Sequence, residues 1–169
     1  MTERARRTTS AASKADKSVH GNIGNRILFL CTGNYYRSRY AEELFNHLAR
    51  RNGLNWEAES RALAIEHGIS NVGPMAKSSL DALVADGARA AAASRFPLPC
   101  TVEDLLKADI VTAVNEAEHR DLLTKRFSGW EDRVIYWHVH DLDRAQPSEA
   151  LGMLRSLVYA LVRDLSESP

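Results

Sequence analysis

A cysteine and an arginine lie six positions apart in the polar segment CTGNYYRS, residues 31–38. As a thiolate, Cys31 would be a strong nucleophile. Arg37 carries a planar guanidinium fork that matches two oxygens of a phosphate group. The two side chains together predict nucleophilic attack on a bound tetrahedral oxyanion.

The rest of the segment is typical of an anion-binding loop. Gly33 lets the backbone turn inward, and Asn34 tolerates left-handed dihedral angles while its amide braces the loop. A helical pattern follows, and the free N–H groups of its first turn favour an anion and hence a thiolate, to which Ser38 can donate a hydrogen bond. We therefore predict a substrate-binding loop formed by Thr32, Gly33, Asn34, Tyr35, Tyr36 and Ser38.

Each of these residues also has an ordinary structural interpretation. A free cysteine at a strand end is commonly a small buried apolar residue. An arginine at a helix start can form a surface ion pair, and Ser38 can simply cap the helix. Tyr35 and Tyr36 are explained equally well as packing residues. The strand, loop and helix around Cys31 favour the catalytic interpretation.

The loop lies between a predicted strand and a predicted helix. RILFL at 26–30 is a continuous apolar run, typical of a strand buried on both faces of a parallel sheet. Apolar residues then recur at helical spacing up to a stop at Asn52 and Gly53. Further strands are predicted at 56–64, near a sheet edge, at 110–114 and at 134–139. Further helices are predicted between Pro74 and Gly87, at 102–109, at 116–126 and from Pro147 onward. The apolar positions of the first of these helices are Met75, Leu80, Leu83 and Val84.

Strands that alternate with helices predict βαβ crossovers. We therefore expect an α/β fold, an open four-stranded parallel sheet with helices on both faces, in a single domain at 26–169 with the phosphate-binding loop after the first strand. In such a sheet the ligand crevice lies at the carboxyl ends of the strands. The loop at 31–38 follows the first strand and residues 141–144 follow the fourth, so both should open on the same edge.

The composition sets the broad class of the protein. A chain of 169 residues with 44% hydrophobic residues is long enough for one core. Lysine and arginine number 22, as do aspartate and glutamate, which gives no indication of a nucleic-acid or membrane partner. Residues 1–25 are basic and lack an apolar run, and they predict a disordered tail, with a targeting peptide or a partner-binding arm as the alternative. Two cysteines are too few for a disulfide framework, so a reduced thiol in the cytoplasm is expected.

The segment LFLCTGNYYRSRYAEELF resembles the phosphate-binding loop and first helix of the low-molecular-weight protein tyrosine phosphatases. SRALA, NVGPMAKSSLDAL, DLLKADIVTAV and VHDLD follow in the family's order, so the resemblance spans about residues 26–165. It implies attack by Cys31 on phosphorus, a phosphocysteine intermediate, and stabilisation of the transition state by Arg37 and the loop amides. Water then hydrolyses the intermediate, and no metal or cofactor is implied. The expected partner is a phosphotyrosine-bearing protein or another phosphomonoester, and the expected state is a monomer or weak dimer.

The family's general acid is an aspartate after the fourth strand, usually followed by proline. Asp141 falls at this place, but the next residue is Leu142, so the motif is incomplete. Asp143 is a rival for the role, and either aspartate can instead be a turn or cap residue.

Two departures from the family concern aromatic residues and cysteine. The family often has a second cysteine just before the arginine, where this chain has Tyr36, so a protective disulfide with the nucleophile is not available. The tyrosines that often follow the acid are replaced by Asp143 and Arg144. Tyr35 is then the expected aromatic wall of the pocket.

Three other side chains have a possible chemical role that the sequence does not favour. His138 and His140 would share one face of an extended strand, but no further ligand cluster accompanies them, so no metal is expected. Cys100 follows two prolines and is interpreted as structural.

Two alternative functions follow from the same loop. A thiol-dependent arsenate reductase would bind arsenate there, but its internal relay needs two more cysteines, and this chain has only Cys100, before the third strand. A catalytically weak module that binds phosphate or a phosphopeptide is the other alternative, because the proline after Asp141 is missing.

Overall fold

The computed structural model describes residues 24–141 and 144–168. All but the last two residues of the predicted tail, 1–25, lie outside the described residues, and so does Asp143.

Four strands and five α-helices alternate along the described chain, as the hydrophobic pattern predicts. The strands are β1 (Asn25–Cys31), β2 (Trp56–Ala62), β3 (Ile110–Ala113) and β4 (Ile135–Tyr136). The helices are α1 (Arg37–Arg51), α2 (Lys77–Ala85), α3 (Val102–Lys107), α4 (Glu116–Arg126) and α5 (Pro147–Glu167). One turn of 3-10 helix at Ile65–Gly68 was not predicted.

The sheet has the strand order β2-β1-β3-β4, and each neighbouring pair is parallel. The predicted four-stranded parallel sheet is therefore confirmed, with β2 at an edge as expected. β1 lies in the interior, and its last residue, Cys31, is in register with Ala62 at the end of β2. The nucleophile candidate thus lies at the carboxyl edge of the sheet, where parallel α/β folds bind ligands.

Side chains of β1 alternate between the two faces of the sheet. Ile27, Phe29 and Cys31 belong to a core cluster that also contains buried residues of α1, α2 and α5. Leu28 and Leu30 belong to a second cluster with buried residues of α3 and α4. The helices thus cover both faces, as predicted, and a strand that is buried on both sides explains the continuous apolar run at 26–30.

The fourth strand is shorter than predicted. It covers two residues instead of 134–139, although Trp137 and Val139 still donate backbone hydrogen bonds to the chain at the end of β3. The ladder is interrupted because the N–H of Glu116, at the start of α4, donates to the carbonyl of Trp137. His138 and His140 therefore lie beyond the end of β4, although both are exposed and flank the buried Val139.

Helix α2 differs from the expectation in its buried face. Val84 was expected at an apolar position, but it is 76% exposed. Ser79 and Leu83, four residues apart, form the buried face, because the Ser79 hydroxyl donates to the carbonyl of Tyr36. Val84 then points about 100° away from that face.

Candidate active site

The carboxyl edge of the sheet carries a pocket of about 180 Å³ above the end of β1. Its lining brings together the three residues predicted to be catalytic, Cys31, Arg37 and Asp141. The other lining residues are Thr32, Gly33, Tyr35, Tyr36, His67, Gly68, Asn71 and Ala76. Asn34 and Ser38, which were predicted to bind substrate, are fully buried and do not line it.

The sulfur of Cys31 has two polar neighbours from its own loop. The backbone N–H of Asn34 donates to Sγ over 3.2 Å, and the Ser38 hydroxyl lies 3.0 Å from Sγ. The side-chain amide of Asn34 donates to Ser38 Oγ over 3.0 Å, which leaves the Ser38 proton free to point at the sulfur. The arrangement suits a thiolate, because both neighbours can donate to it.

Asn34 holds the loop from behind. It is the one non-glycine residue with positive φ in the described chain, at 51°, so the left-handed turn lies here and not at Gly33. Its amide nitrogen donates to Ser60 over 2.8 Å, and its oxygen accepts from the backbone of Leu98 over 3.0 Å and from Arg95 over 3.3 Å. The side chain of Asn34 therefore braces the loop from outside the pocket lining.

A charged network behind the loop was not predicted from the sequence. Arg95 donates to the buried carboxylate of Glu42 over 2.6 Å, and Ser60 also donates to that carboxylate. Burial raises the pKa of Glu42, while Arg95 and Ser60 oppose the effect. The network fixes Asn34 to β2 and to the chain around 95–98.

Arg37 is 1% exposed and is surrounded by acceptors. Its Nη1 donates to Glu118 Oε1 over 3.1 Å and to the carbonyl of Val139 over 2.9 Å. Its Nη2 donates to Glu118 Oε2 over 2.7 Å and to Asp141 Oδ2 over 3.0 Å. Burial acts to lower the pKa of Arg37, but the hydrogen bond to Glu118 and the charges of Cys31 and Asp141 raise it above its usual value. The guanidinium is thus a fixed positive charge.

Asp141 lies in the pocket with its side chain 41% exposed. Its Oδ2 accepts from Arg37 Nη2, and its carboxylate lines the same pocket as Cys31. Asp143, the rival for the role of general acid, lies outside the described residues.

The two tyrosines between the cysteine and the arginine have different environments. Tyr35 is half-buried in the pocket wall, and its hydroxyl donates to the carbonyl of Val72 over 2.7 Å. Tyr36 is 6% exposed, and its hydroxyl donates to the carbonyl of Pro147 over 3.2 Å. Burial, with the charge of Asp141, raises the pKa of Tyr36 to about 12. Tyr36 is mainly a core residue, whereas Tyr35 is the aromatic wall.

The first turn of α4 contributes two residues that sequence reasoning missed. The backbone N–H of Asn115 donates to Nδ1 of the buried His119 over 3.1 Å, so the ring proton lies on Nε2, 3.3 Å from Thr32 Oγ1. Burial, with the charge of Arg37, lowers the pKa of His119 to about 3, so the ring is neutral. Thr32 Oγ1 in turn lies 3.5 Å from Glu118 Oε2. One signal was available, since α4 follows β3 and therefore starts at the same sheet edge as the loop.

Other expectations concern metal and thiol sites. Among the described residues, no group of three or more His, Cys, Asp and Glu side chains could hold a metal ion. His138 is exposed, and His140 contacts the side chain of Asn115. Cys100 is a free, partly buried thiol, and burial raises its pKa to about 12. No helix within 24–141 and 144–168 is long and apolar enough to cross a membrane.

Known proteins resemble this chain over most of its length. A model of the family described as low molecular weight phosphotyrosine protein phosphatase matches residues 26–150. The protein-arginine-phosphatase of Bacillus subtilis (strain 168) is 32% identical over 109 residues, which are 64% of this chain and 67% of that protein. The structure of a YwlE mutant from Bacillus subtilis is 25% identical with a TM-score of 0.69, covering 85% of this chain and 99% of that one. A low molecular weight protein tyrosine phosphatase from T. tengcongensis is 24% identical with a TM-score of 0.69, covering 83% and 99%.

Proposed function

Because the chain belongs to the low molecular weight phosphotyrosine protein phosphatase family, whose members are cysteine-dependent and metal-independent hydrolases, we propose that Cys31 is its nucleophile. The observation that carries the proposal is the position of Sγ, at a pocket lined also by Arg37 and Asp141. The N–H of Asn34 and the hydroxyl of Ser38 both lie within hydrogen-bond distance of the sulfur.

The proposed reaction has two steps. In the first, the Cys31 thiolate attacks phosphorus, and Asp141 gives a proton to the leaving oxygen as the bond from phosphorus to that oxygen breaks. In the second, Asp141 takes a proton from water, which attacks the phosphocysteine and releases inorganic phosphate and the thiolate. Arg37 stabilises the charge on the equatorial oxygens in both steps.

We propose phosphotyrosine in a protein as the substrate class. Tyr35 supports it, because its ring lines the pocket and can pack against an aryl group. The balanced charge of the chain gives no reason for a nucleic-acid partner, and we propose that the protein acts as a monomer or weak dimer. A nucleophilic thiolate needs a reducing compartment, so we place the protein in the cytoplasm.

Phosphoarginine is a second candidate substrate. The observation that favours it is the name of the Bacillus subtilis relative, a protein-arginine-phosphatase that is 32% identical. An arsenate reductase is not favoured, since the relatives reported above are phosphatases. A module that only binds phosphate is also less favoured, because Asp141 lies in the pocket even without a following proline.

Steady-state kinetics test the reaction and the substrate together. Wild type is assayed on p-nitrophenyl phosphate and on matched phosphotyrosine and phosphoarginine peptides, in parallel with Cys31→Ser and with Cys100→Ser as the matched control. We expect turnover that only Cys31→Ser abolishes, and a higher kcat/KM for the phosphotyrosine peptide. A higher kcat/KM for phosphoarginine would transfer the assignment to the second candidate. Turnover by Cys31→Ser would refute the mechanism.

A further inference from the structure

The guanidinium of Arg37 presents three edges, and the protein already occupies most of them. A guanidinium carries five N–H donors in one rigid plane. Glu118 accepts one from each terminal nitrogen, over 3.1 Å and 2.7 Å, so its carboxylate faces the end of the fork. The carbonyl of Val139 accepts the other N–H of Nη1. The remaining edge consists of the Nε–H and the second Nη2–H, and Asp141 now accepts from Nη2.

We propose that Glu118 is the positioning residue for Arg37, which it holds so that the edge between Nε and Nη2 faces the substrate phosphate. The proposal rests on the function proposed above, in which Arg37 binds the transferred phosphoryl group. Glu118 does not line the pocket, so it acts through Arg37 and not on substrate. When phosphate oxygens take the free edge, Asp141 leaves Nη2 and becomes available as the acid, while Glu118 and Val139 keep their contacts.

Glu118 is itself held in place from the opposite side. The neutral ring of His119 accepts from the N–H of Asn115 and donates through Nε2 to Thr32 Oγ1. Because the Thr32 hydroxyl accepts from His119, its own proton can be donated to Glu118. The distance from Thr32 Oγ1 to Glu118 Oε2 is 3.5 Å. Nε2 of His119 also lies 3.5 Å from Glu118 Oε2. Thr32, which lines the pocket, and His119 therefore both contact the carboxylate that holds Arg37.

Glu118 is expected to affect the transition state more than the bound substrate. Its negative charge repels a phosphate dianion, so neutralising it favours ground-state binding of the anion. The orientation of the guanidinium matters most when charge develops on the equatorial oxygens, and a small misplacement then costs rate. The loss of Glu118 should therefore lower kcat without raising KM.

Two variants and one control test the proposal. Glu118→Gln keeps the shape without the charge, Glu118→Asp keeps the charge with a shorter reach, and Glu116→Gln changes an exposed carboxylate of the same helix turn that pairs with Arg120. We expect both Glu118 variants to lose about tenfold or more in kcat with KM unchanged or lower, and the control to stay within about twofold of wild type. Urea unfolding confirms that each variant is folded.

Calorimetry with inorganic phosphate and with vanadate provides a readout independent of turnover. Vanadate resembles the five-coordinate transition state, so Glu118→Gln should weaken vanadate binding about tenfold while phosphate binding stays equal or tightens. A kcat within twofold of wild type, or equal losses of phosphate and vanadate affinity, would overturn the positioning role. A wild type without turnover would instead contradict the proposed function, and the binding measurements would still decide the role of Glu118.

Discussion

At the scale of single residues, neighbouring groups set the protonation of Arg37 in the pocket and of His119, which contacts the pocket residue Thr32. Arg37 stays charged because Glu118 and Asp141 offset its burial. His119 stays neutral because burial and the charge of Arg37 both disfavour the imidazolium. The only pocket carboxylate in the described chain is that of Asp141, which is partly exposed and accepts a hydrogen bond from Arg37.

Replacement of the proposed acid tests this arrangement. Asp141→Asn cannot give a proton to the leaving oxygen, so we expect kcat to fall about 10²-fold. Asp143→Asn is the matched control, with kcat near that of wild type. The measurement is the pH profile of kcat for a phosphotyrosine peptide. The roles are reversed if Asp143→Asn loses the rate and Asp141→Asn does not.

The buried histidine predicts a pH dependence of stability. The pKa of His119 is about 3 in the folded protein and 6.5 when unperturbed. Between these two pH values the unfolded chain binds a proton that the folded chain does not, so protonation favours unfolding. The contribution of neutral His119 to the free energy of unfolding is therefore fully present above pH 6.5 and is lost as the pH falls toward 3. The slope is at most about 1.4 kcal/mol per pH unit. His119→Asn should remove this part of the slope, as measured by urea unfolding between pH 7 and pH 4. The same slope in both proteins contradicts the burial argument.

At the scale of elements, the loop between β1 and α1 is held in place by hydrogen bonds from its own residues to distant parts of the chain. Asn34 has a left-handed backbone, and its amide joins Ser38 and Ser60, while its oxygen meets the chain at Leu98. Helix α4 acts on the same loop from the other side, through Thr32. The position of Cys31 thus depends on elements far away in the chain.

Two substitutions at Asn34 separate its two roles. Asn34→Gly keeps the left-handed conformation and loses the amide, whereas Asn34→Ala loses both. We expect kcat/KM to fall at least about tenfold in both variants, because the loop loses its brace. The free energy of unfolding of Asn34→Ala should be about 1 kcal/mol lower than that of Asn34→Gly, because a left-handed conformation costs about this much for alanine. Equal free energies of unfolding for the two variants, measured by urea titration, would contradict this prediction. They would show that the loop of the alanine variant leaves the left-handed conformation at position 34.

At the scale of the whole molecule, the sheet separates the two cysteines of the chain. Cys31 packs in the cluster on the side of α1 and α5, while Cys100 packs against the cluster on the side of α3 and α4. The residue just before Arg37 is Tyr36 and not a second cysteine. An oxidised Cys31 therefore has no second thiol on its side of the sheet with which to form a disulfide.

This arrangement predicts the outcome of oxidation. After treatment with peroxide, we expect Cys31 to proceed to sulfinic acid, and dithiothreitol should not restore the activity lost at that stage. Intact mass under non-reducing conditions should show added oxygen and not the loss of two hydrogens. Cys100→Ser should be inactivated at the same rate, whereas protection of the wild type alone would indicate a disulfide between the two cysteines.

The sequence predicted the parts of the protein that depend on local pattern. Local pattern was enough to predict the strand at 26–30, the loop after it and the helix that follows. The structure has all three, with small differences at their ends. The edge position of β2 was also predicted, whereas the full strand order β2-β1-β3-β4 came only from the structure. Cys31, Arg37 and Asp141 were predicted to meet because they follow strands that end at one edge, and they line one pocket.

The sequence by itself therefore determined the sheet, the loop and the chemical types at its two ends. Only the tertiary structure decided which partners hold them. Glu118 meets Arg37 across 81 positions of chain, and Arg95 meets Asn34 across 61. No periodicity relates such residues, because their distance depends on how α4 and the chain around 95–98 pack against the sheet. The same reason explains the two tyrosines, since packing alone buried Tyr36 almost completely and left Tyr35 half-buried, although both line the pocket.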